Sequence, residues 1–393
     1  MKISRLLFRF IHLSLLLIYF SHQILLLLFL KNITQIENSI DEKLGKIIAD
    51  FCLKAGGAFI KIGQILGTRY DIFSVKTLLP LQQLQDDVPP VCFSKIETII
   101  ESNLGRKLDR IFADFNRIPI ASASISQVYR ARLKHNDQLV AVKALSPKIR
   151  KIYETDIFLI GFFINKLKRF RFFQDFPLIE AFEQIADSLL NQTDFLLEAA
   201  NNKKFRDGFN PLTKTLFPKI INEFSTSEIL VLDFFDDLKK VGDLSERENK
   251  KLVIHALKAL YRMIFLNGFI HCDLHQSNFF RFKEDLLVLL DTGFAAEIEN
   301  DVRISFCEFF ESVVQNNAKR CALIIRETAL KIKEDFDSSE FEKEIAILLN
   351  KYSAVDVRDF QVSQFVLNLF KIQKKYGIYS TAHFTLPILS MLV

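Results

Sequence analysis

The stretch HCDLHQSN at residues 271–278, followed by DTG at 291–293, decides the fold. Between the two lie FFRF, the charged turn KED and the apolar run LLVLL, a pattern that predicts a tight antiparallel hairpin. Such a hairpin brings Asn278 and Asp291 together beside Asp273, so two carboxylates and an amide converge. Phosphoryl transfer needs that combination: one carboxylate to orient or receive the proton of the nucleophile, and oxygen ligands to hold Mg²⁺ against nucleotide phosphates. A polar loop with caps and turns accounts for any one of these residues. It does not account for D-x-x-x-x-N with a later D-x-G placed after an apolar strand.

Working outward, PIASASISQVYRARL at 119–133, the polar turn KHNDQ and LVAVKAL at 139–145 read as two strands of a hairpin opening a small sheet. Alternation sends Val140 and Val142 to one face and Ala141 and Lys143 to the other. The helical stretch that follows carries Glu198, and this order of strand lysine and helix glutamate is the one that pairs the two and aims the ammonium at phosphates. EILVLDFF at 228–235 is a further strand, and a long helix follows it as far as Gly268. Residues 33–118 read mostly as helices, broken at Pro80, Pro89 and Pro90, and the pattern from 301 to the end is again helical.

The 393 residues are 49% hydrophobic and 25% charged, which suits a globular protein of two or three lobes. Basic residues outnumber acidic ones by 52 to 47, but Lys2, Arg5, Arg9 and Lys31 all precede the first acid, Glu37. The remainder is therefore close to neutral, which argues against a nucleic-acid surface. Five scattered cysteines without a CxxC pair point to a reducing compartment. Residues 10–30, FIHLSLLLIYFSHQILLLLFL, carry no formal charge and are long enough to cross a bilayer, so a membrane anchor is expected there. A buried or interfacial helix is the other reading, because Ser21, His22 and Gln23 interrupt the run.

A second informative stretch is FIKIGQILGTRYD at 59–71. On a helix, Phe59, Ile62, Leu66 and Tyr70 make an apolar stripe, and Lys61, Gln64, Thr68 and Asp71 a polar one. Gly63 and Gly67 each cost about 1 kcal/mol of helix propensity, which is unusual for a simple solvated face.

Taken together these motifs resemble the UbiB/AarF family of atypical, protein-kinase-like kinases. ASASIS stands where a phosphate-covering glycine loop belongs and is similar to that family's alanine-rich loop, while KIGQ matches its KxGQ helix. VAVK, QTDFLLEAAN, HCDLHQSN and DTG match its lysine strand, ExDFxxEAxN helix, HxDPHPGN loop and DFG motif. The resemblance implies an α+β, bilobal protein-kinase-like fold with a helical N-terminal extension carrying KxGQ. It divides the chain into a membrane segment at 1–32, the KxGQ extension at 33–118, an N-lobe-like region at 119–235 and a helical C-lobe at 236–393.

It also implies ATP and Mg²⁺ as cofactors, and ATPase or unconventional kinase activity linked to ubiquinone or other isoprenoid lipids. The partners would be a quinone-like lipid, the membrane and enzymes of quinone biosynthesis, with no nucleic acid. The place would be a bacterial inner membrane, with the catalytic body on the side that contains ATP. Carried over by position, Lys143 and Glu198 form the ion pair, Asp273 is the catalytic carboxylate, and Asn278 and Asp291 are metal ligands. Ala121, Ser122, Ala123 and Ser124, with Lys143 and Asp233, contact the nucleotide, and Lys61 and Gln64 gate the cleft.

Three departures stand out. Gln192 replaces the first helix glutamate, Gln276 and Ser277 replace Pro and Gly of the catalytic loop, and Thr292 replaces the DFG phenylalanine. The chain stops at FTLPILSMLV without the apolar C-terminal segment of many bacterial members, which leaves anchoring to residues 10–30. A nucleotide-binding pseudokinase scaffold and a small-molecule phosphotransferase are the alternative functions.

Overall fold

The computed structural model describes residues 3–34, 40–67, 69, 73–84, 90–167, 178–209, 213–274, 278–353 and 361–380. Expectations attached to Thr68, Tyr70, Asp71, Pro89, residues 275–277 and residues 384–393 lie outside them. The chain forms two compact units, one from Met1–Val88 with Lys148–Leu190 and the other from Pro89–Pro147 with Asn191–Val393.

The first unit begins with α1 (Ile3–Thr34), α2 (Ile40–Ala55), α3 (Ala58–Gly67) and α4 (Val75–Gln82). Ser21, His22 and Gln23 do not break α1, whose segment Leu6–Leu27 is long and apolar enough to cross a membrane. Leu13, Phe20 and Leu27, seven residues apart, are its buried line, whereas Phe8, Leu15, Ile18 and Leu25 are exposed. Pro80 lies inside α4 rather than ending it. The helix closes two residues later, so only one backbone bond is forfeited, and Leu78 and Leu81 are fully buried around it. In α3 the glycines serve close approach: a Cβ on Gly63 would stand 2.5 Å from Leu84 Cδ1 and 2.9 Å from Cys52 Sγ, and one on Gly67 3.2 Å from the Gln82 nitrogen.

The second unit opens with α5 (Phe93–Leu104), the single turn α6 (Leu108–Ile111), and β1 (Phe112–Phe115), β2 (Ala121–Ser122), β3 (Ser126–Leu133) and β4 (Leu139–Leu145). The sheet thus starts at Phe112, ahead of the expected residue 119. FADF is too short to show a period by itself and becomes a strand because Phe112 and Phe115 pair with Leu133 and Ala131 of β3. The 139–145 strand forms as expected and is buried on both faces.

Two helices, α7 (Ile149–Leu167) and α8 (Leu178–Asn191), return to the first unit. Asp156 of α7 is fully buried and accepts from Arg9 Nε at 2.7 Å, Arg9 Nη2 at 2.8 Å and the Ala58 amide at 3.0 Å. Phe10 stacks on Phe163 beside this pair, so α1 is held to α7 by both charge and ring contact.

The rest of the second unit comprises α9 (Phe195–Gly208), β5 (Thr215–Leu216), β6 (Ile229–Asp233), α10 (Glu246–Tyr261), β7 (Phe269–His271), β8 (Phe279–Phe282), β9 (Leu286–Leu289) and β10 (Ala295–Glu297). It ends with α11 (Asn300–Val314), α12 (Ala318–Glu327), β11 (Ala329–Ile332), α13 (Ser338–Ser353), α14 (Val362–Lys375) and β12 (Ile378–Ser380). The main sheet runs β1-β3-β4-β6 with β2 on the β3 edge, over a core of Ile96, Ile100, Tyr129, Val140, Val142 and Val231. Capping is explicit. Asp194 caps α9, and Ser245 with Glu248 forms a capping box on α10. After α10 a π-helical turn, Arg262–Asn267, ends at Gly268, whose φ of 63° turns the chain into β7.

The hairpin expected between the two motifs is present, with Phe279 opposite Leu289 and Phe282 opposite Leu286. The C-terminal stretch is not all helix. β11 pairs with β12 across α13 and α14, a non-local pairing that no local period announces.

A variant Asp156→Ala leaves the Arg9 guanidinium without its buried carboxylate and is expected to cost about 3 kcal/mol or more. Urea denaturation followed by circular dichroism, with proteolysis mapped to α1, checks this; an unchanged midpoint and cleavage pattern would refute it.

Candidate active site

The site is built on Lys143. β4 lies between β3 and β6, which fixes the strand on both edges, and the side chain emerges nearly buried under the ring of Phe195, 5.1 Å away. Its Nζ donates to both oxygens of Glu198 at 2.9 Å and to Asp291 Oδ2 at 3.1 Å. The three groups come from β4, α9 and the turn after β9. Burial opposes the lysine charge, but Asp291 and Glu198 together hold its pKa above the ordinary lysine value. Burial pushes the Glu198 carboxyl up to about 7 against the pull of Lys143, with the Asp291 charge adding to the rise. Asp291 is different. Partial burial opposes its charge, yet the Lys143 ammonium and the Gly293 amide hold it below the usual carboxylate range.

The segment after β7 is braced by its own residues. His271, buried at the end of β7, donates from Nε2 to the Asp291 carbonyl at 2.5 Å and accepts the Asp273 amide on Nδ1 at 3.2 Å. This bonding fixes one neutral tautomer and ties the Asp273 and Asp291 backbones to a single ring. Asn278 Nδ2 donates to the Asp273 carbonyl at 2.7 Å, which identifies the nitrogen end of the amide. Burial lifts the Cys272 thiol to about 12, so it is a packed side chain and not a thiolate.

Asn278 and Asp291 supply hard oxygen donors, and the Asp291 carboxylate is half exposed, which fits Mg²⁺ shared with phosphate oxygens. Among the described residues no group of three or more His, Cys, Asp or Glu side chains is placed to hold a metal ion, so a cation here would draw on this small set.

Thr292, in place of the DFG phenylalanine, is buried and donates from Oγ1 to the Glu198 carbonyl at 3.2 Å, while Asn201 Nδ2 donates to the Thr292 carbonyl at 3.1 Å. The DTG segment is therefore bonded to α9 in both directions. The sequence reading assigned no role to Asn201, although it closes the QTDFLLEAAN motif, and none to Gly293 beyond the DTG pattern. A Cβ on Gly293 would lie 3.2 Å from Asp291 Oδ1 and 3.4 Å from Glu198 Oε2, so the smallest residue stands where two carboxyl groups crowd.

The ASAS loop is a short edge ribbon. Ala121 and Ser122 pair with Val128 and Gln127 of β3, and Ala123 closes the turn by donating to the Ser126 carbonyl at 2.8 Å, ahead of Ser124. Asp233 at the end of β6 spends its carboxylate internally, accepting from Gln138 Nε2 at 2.8 Å and from the Lys219 amide at 3.3 Å. Lys61 and Gln64 lie on α3 of the first unit, where Gln64 Nε2 donates to the Leu84 carbonyl at 3.0 Å. Gln192 is buried in the second unit ahead of α9.

Because folding raises the Glu198 pKa from 4.5 to about 7, the folded chain keeps that proton where the unfolded chain has lost it. The stability this group contributes is complete below the unfolded value and is lost as pH rises through the folded one. The thermal midpoint should therefore fall more steeply between about pH 5 and 8 in the parent than in Glu198→Gln. Parallel melting curves across that range would contradict the assignment.

The geometry has counterparts in known proteins. Residues 83–325 match the model of the ABC1 atypical kinase-like domain, which is more than half of the chain. The chain is 28% identical over 334 residues to the probable protein kinase UbiB of Aeromonas hydrophila, covering 82% of this chain and 61% of that one. It is also 28% identical over 342 residues to an aarF domain-containing chloroplastic protein kinase of Arabidopsis thaliana, covering 87% of this chain and 48% of that one. The chain thus spans about half to three fifths of these two curated relatives. Among solved structures, Rv3197 of Mycobacterium tuberculosis, determined in complex with erythromycin, superposes with a TM-score of 0.58 over 93% of both chains at 18% identity, a likeness of fold. On the match over residues 83–325, the chain belongs to the ABC1 atypical kinase-like family, to which the UbiB and AarF kinases also belong.

Proposed function

We propose that this protein binds ATP with Mg²⁺ and turns it over by phosphoryl transfer or hydrolysis, in support of ubiquinone or related isoprenoid-lipid metabolism at a membrane. The observation that carries the reading is the Lys143 ammonium within 3.1 Å of both Glu198 and Asp291. Lys143 neutralises charge on the nucleotide phosphates, and Glu198 holds the ammonium in place while they bind. Asp273 orients the acceptor and receives its proton, with His271 and Asn278 fixing the loop from which it works. Mg²⁺, when bound by Asn278 and Asp291, supplies charge stabilisation to the transferring phosphoryl group. The exposed apolar side of α1 supports membrane association, and the family's UbiB members support the quinone-related substrate class and quinone-biosynthesis enzymes as partners.

A nucleotide-binding scaffold is the second reading, favoured by the uncharged Gln192 and by Thr292 at the DFG position. Hydrolysis assays with and without quinone-like phenols, run beside calorimetric nucleotide titrations, separate the two. We expect Mg²⁺-dependent turnover that falls about a hundredfold or more in Asp291→Asn and in Asp273→Ala. Nucleotide binding with no turnover above the Asp273→Ala background would favour the scaffold, and no binding at all would sink both readings. We further propose that Lys61 and Gln64 gate the site. Lys61→Ala is then expected to change turnover or nucleotide preference with unchanged circular dichroism, and parental kinetics would remove the role.

A further inference from the structure

The buried line of α9 is Phe195, Glu198, Asn202 and Phe205, which at these spacings is one face of the helix. Only the two ends of that line are apolar; its middle is a carboxyl and an amide. The ends are also pinned by hydrogen bonds, from the Phe195 amide to the Ser227 carbonyl at 2.9 Å and from Arg262 Nε to the Gly208 carbonyl at 2.8 Å. Apolar burial is non-directional, so the orientation of Glu198 between these ends is left to polar contacts. The ion pair from Lys204 to Glu297 at 3.1 Å is exposed and contributes little to it.

Thr292 makes contact at that middle. It is 1% exposed, its Oγ1 donates to the Glu198 carbonyl at 3.2 Å, and its own carbonyl accepts from Asn201 Nδ2 at 3.1 Å. The Thr292 amide bears on the other end of Glu198, favouring charge on its carboxyl. Amide, hydroxyl and carbonyl of one residue are thus all engaged by a single turn of α9. The backbone approaches closely here, since a Cβ on Gly293 would stand 3.4 Å from Glu198 Oε2. A phenylalanine at position 292 could offer the amide and the carbonyl but no hydroxyl, so the bond to the Glu198 carbonyl is specific to DTG.

We propose that Thr292 is a positioning residue whose hydroxyl fixes α9 so that Glu198 meets Lys143 before any nucleotide binds. It acts through Glu198 and not on the reacting atoms. A buried hydrogen bond between two elements is directional, and its loss leaves the Glu198 carbonyl with one partner fewer and the helix freer to turn away from Lys143. The consequence for catalysis rests on the proposed nucleotide role of Lys143 and Glu198; the fixing of α9 does not.

Two variants test this. Thr292→Val keeps the shape and removes the hydroxyl, and Thr292→Ser keeps the hydroxyl. Hydrogen exchange read by mass spectrometry on the nucleotide-free full chain reports on α9 directly. The α9 amides are expected to exchange about fivefold faster in Thr292→Val and near the parental rate in Thr292→Ser, with β3 and β4 unchanged in both. In hydrolysis assays kcat should fall about fivefold in Thr292→Val, with KM for nucleotide within about twofold of the parent, and recover in Thr292→Ser. The proposal is overturned by parental α9 exchange in Thr292→Val, by equal acceleration in Thr292→Ser, by acceleration that extends to β3 and β4, or by parental kcat in Thr292→Val. A parent that turns over no nucleotide would sink the ATP reading instead, and the exchange rates, measured without nucleotide, would still decide the role of Thr292.

Discussion

One ammonium organises the second unit. Lys143 is nearly buried and survives as a charge only because two carboxylates from distant parts of the chain meet it, 55 residues away at Glu198 and 148 away at Asp291. Removing one member of such a set strands the others in a poorly solvated place, which is costlier than losing a surface pair. Each member is therefore anchored separately. β4 is hydrogen-bonded on both edges, α9 is capped by Asp194, and Asp291 follows a strand that pairs with β8 on one side and β5 on the other.

Around this centre, small polar contacts hold the segments in place. Thr292 and Asn201 exchange hydrogen bonds between the DTG segment and α9, each worth about 1 kcal/mol net, and being directional they set the helix's rotation as well as its distance. His271 does the same for the catalytic loop by touching two backbones with one ring. The ASAS ribbon needs no glycine because it is paired along β3 and its turn is closed by a single backbone bond. All of these devices are short-range. They hold charged groups at fixed separations without adding charge.

The first unit shows a different solution to an apolar surplus. α1 carries enough hydrophobic residues for two faces, and one of them, the line through Leu13, Phe20 and Leu27, is consumed by packing in that unit. The Arg9–Asp156 pair sits beside that line and makes the packed orientation of the helix specific, since a guanidinium bonded to a buried carboxylate and to the Ala55 carbonyl cannot slide by a turn. What remains outside is an apolar strip interrupted at Ser21 and His22, which are exposed.

Local chemistry was readable from the chain alone. D-x-x-x-x-N with D-x-G, the alternation of VAVK and the run of FFRF to LLVLL specify a strand, a loop and a hairpin because their periods and turn residues are local properties. Those signals were enough to name the kinase-like fold and to select Lys143, Glu198, Asp273, Asn278 and Asp291. The strand at Phe112–Phe115, the pairing of β11 with β12 and the continuation of α4 through Pro80 were not readable, since each is decided by a partner distant in sequence or by burial. The same is true of Asn201 and Gly293. Only the tertiary structure decides them, because hydrogen-bond reach and Cβ clearance depend on where separate elements come to rest, and sequence spacing does not encode that distance.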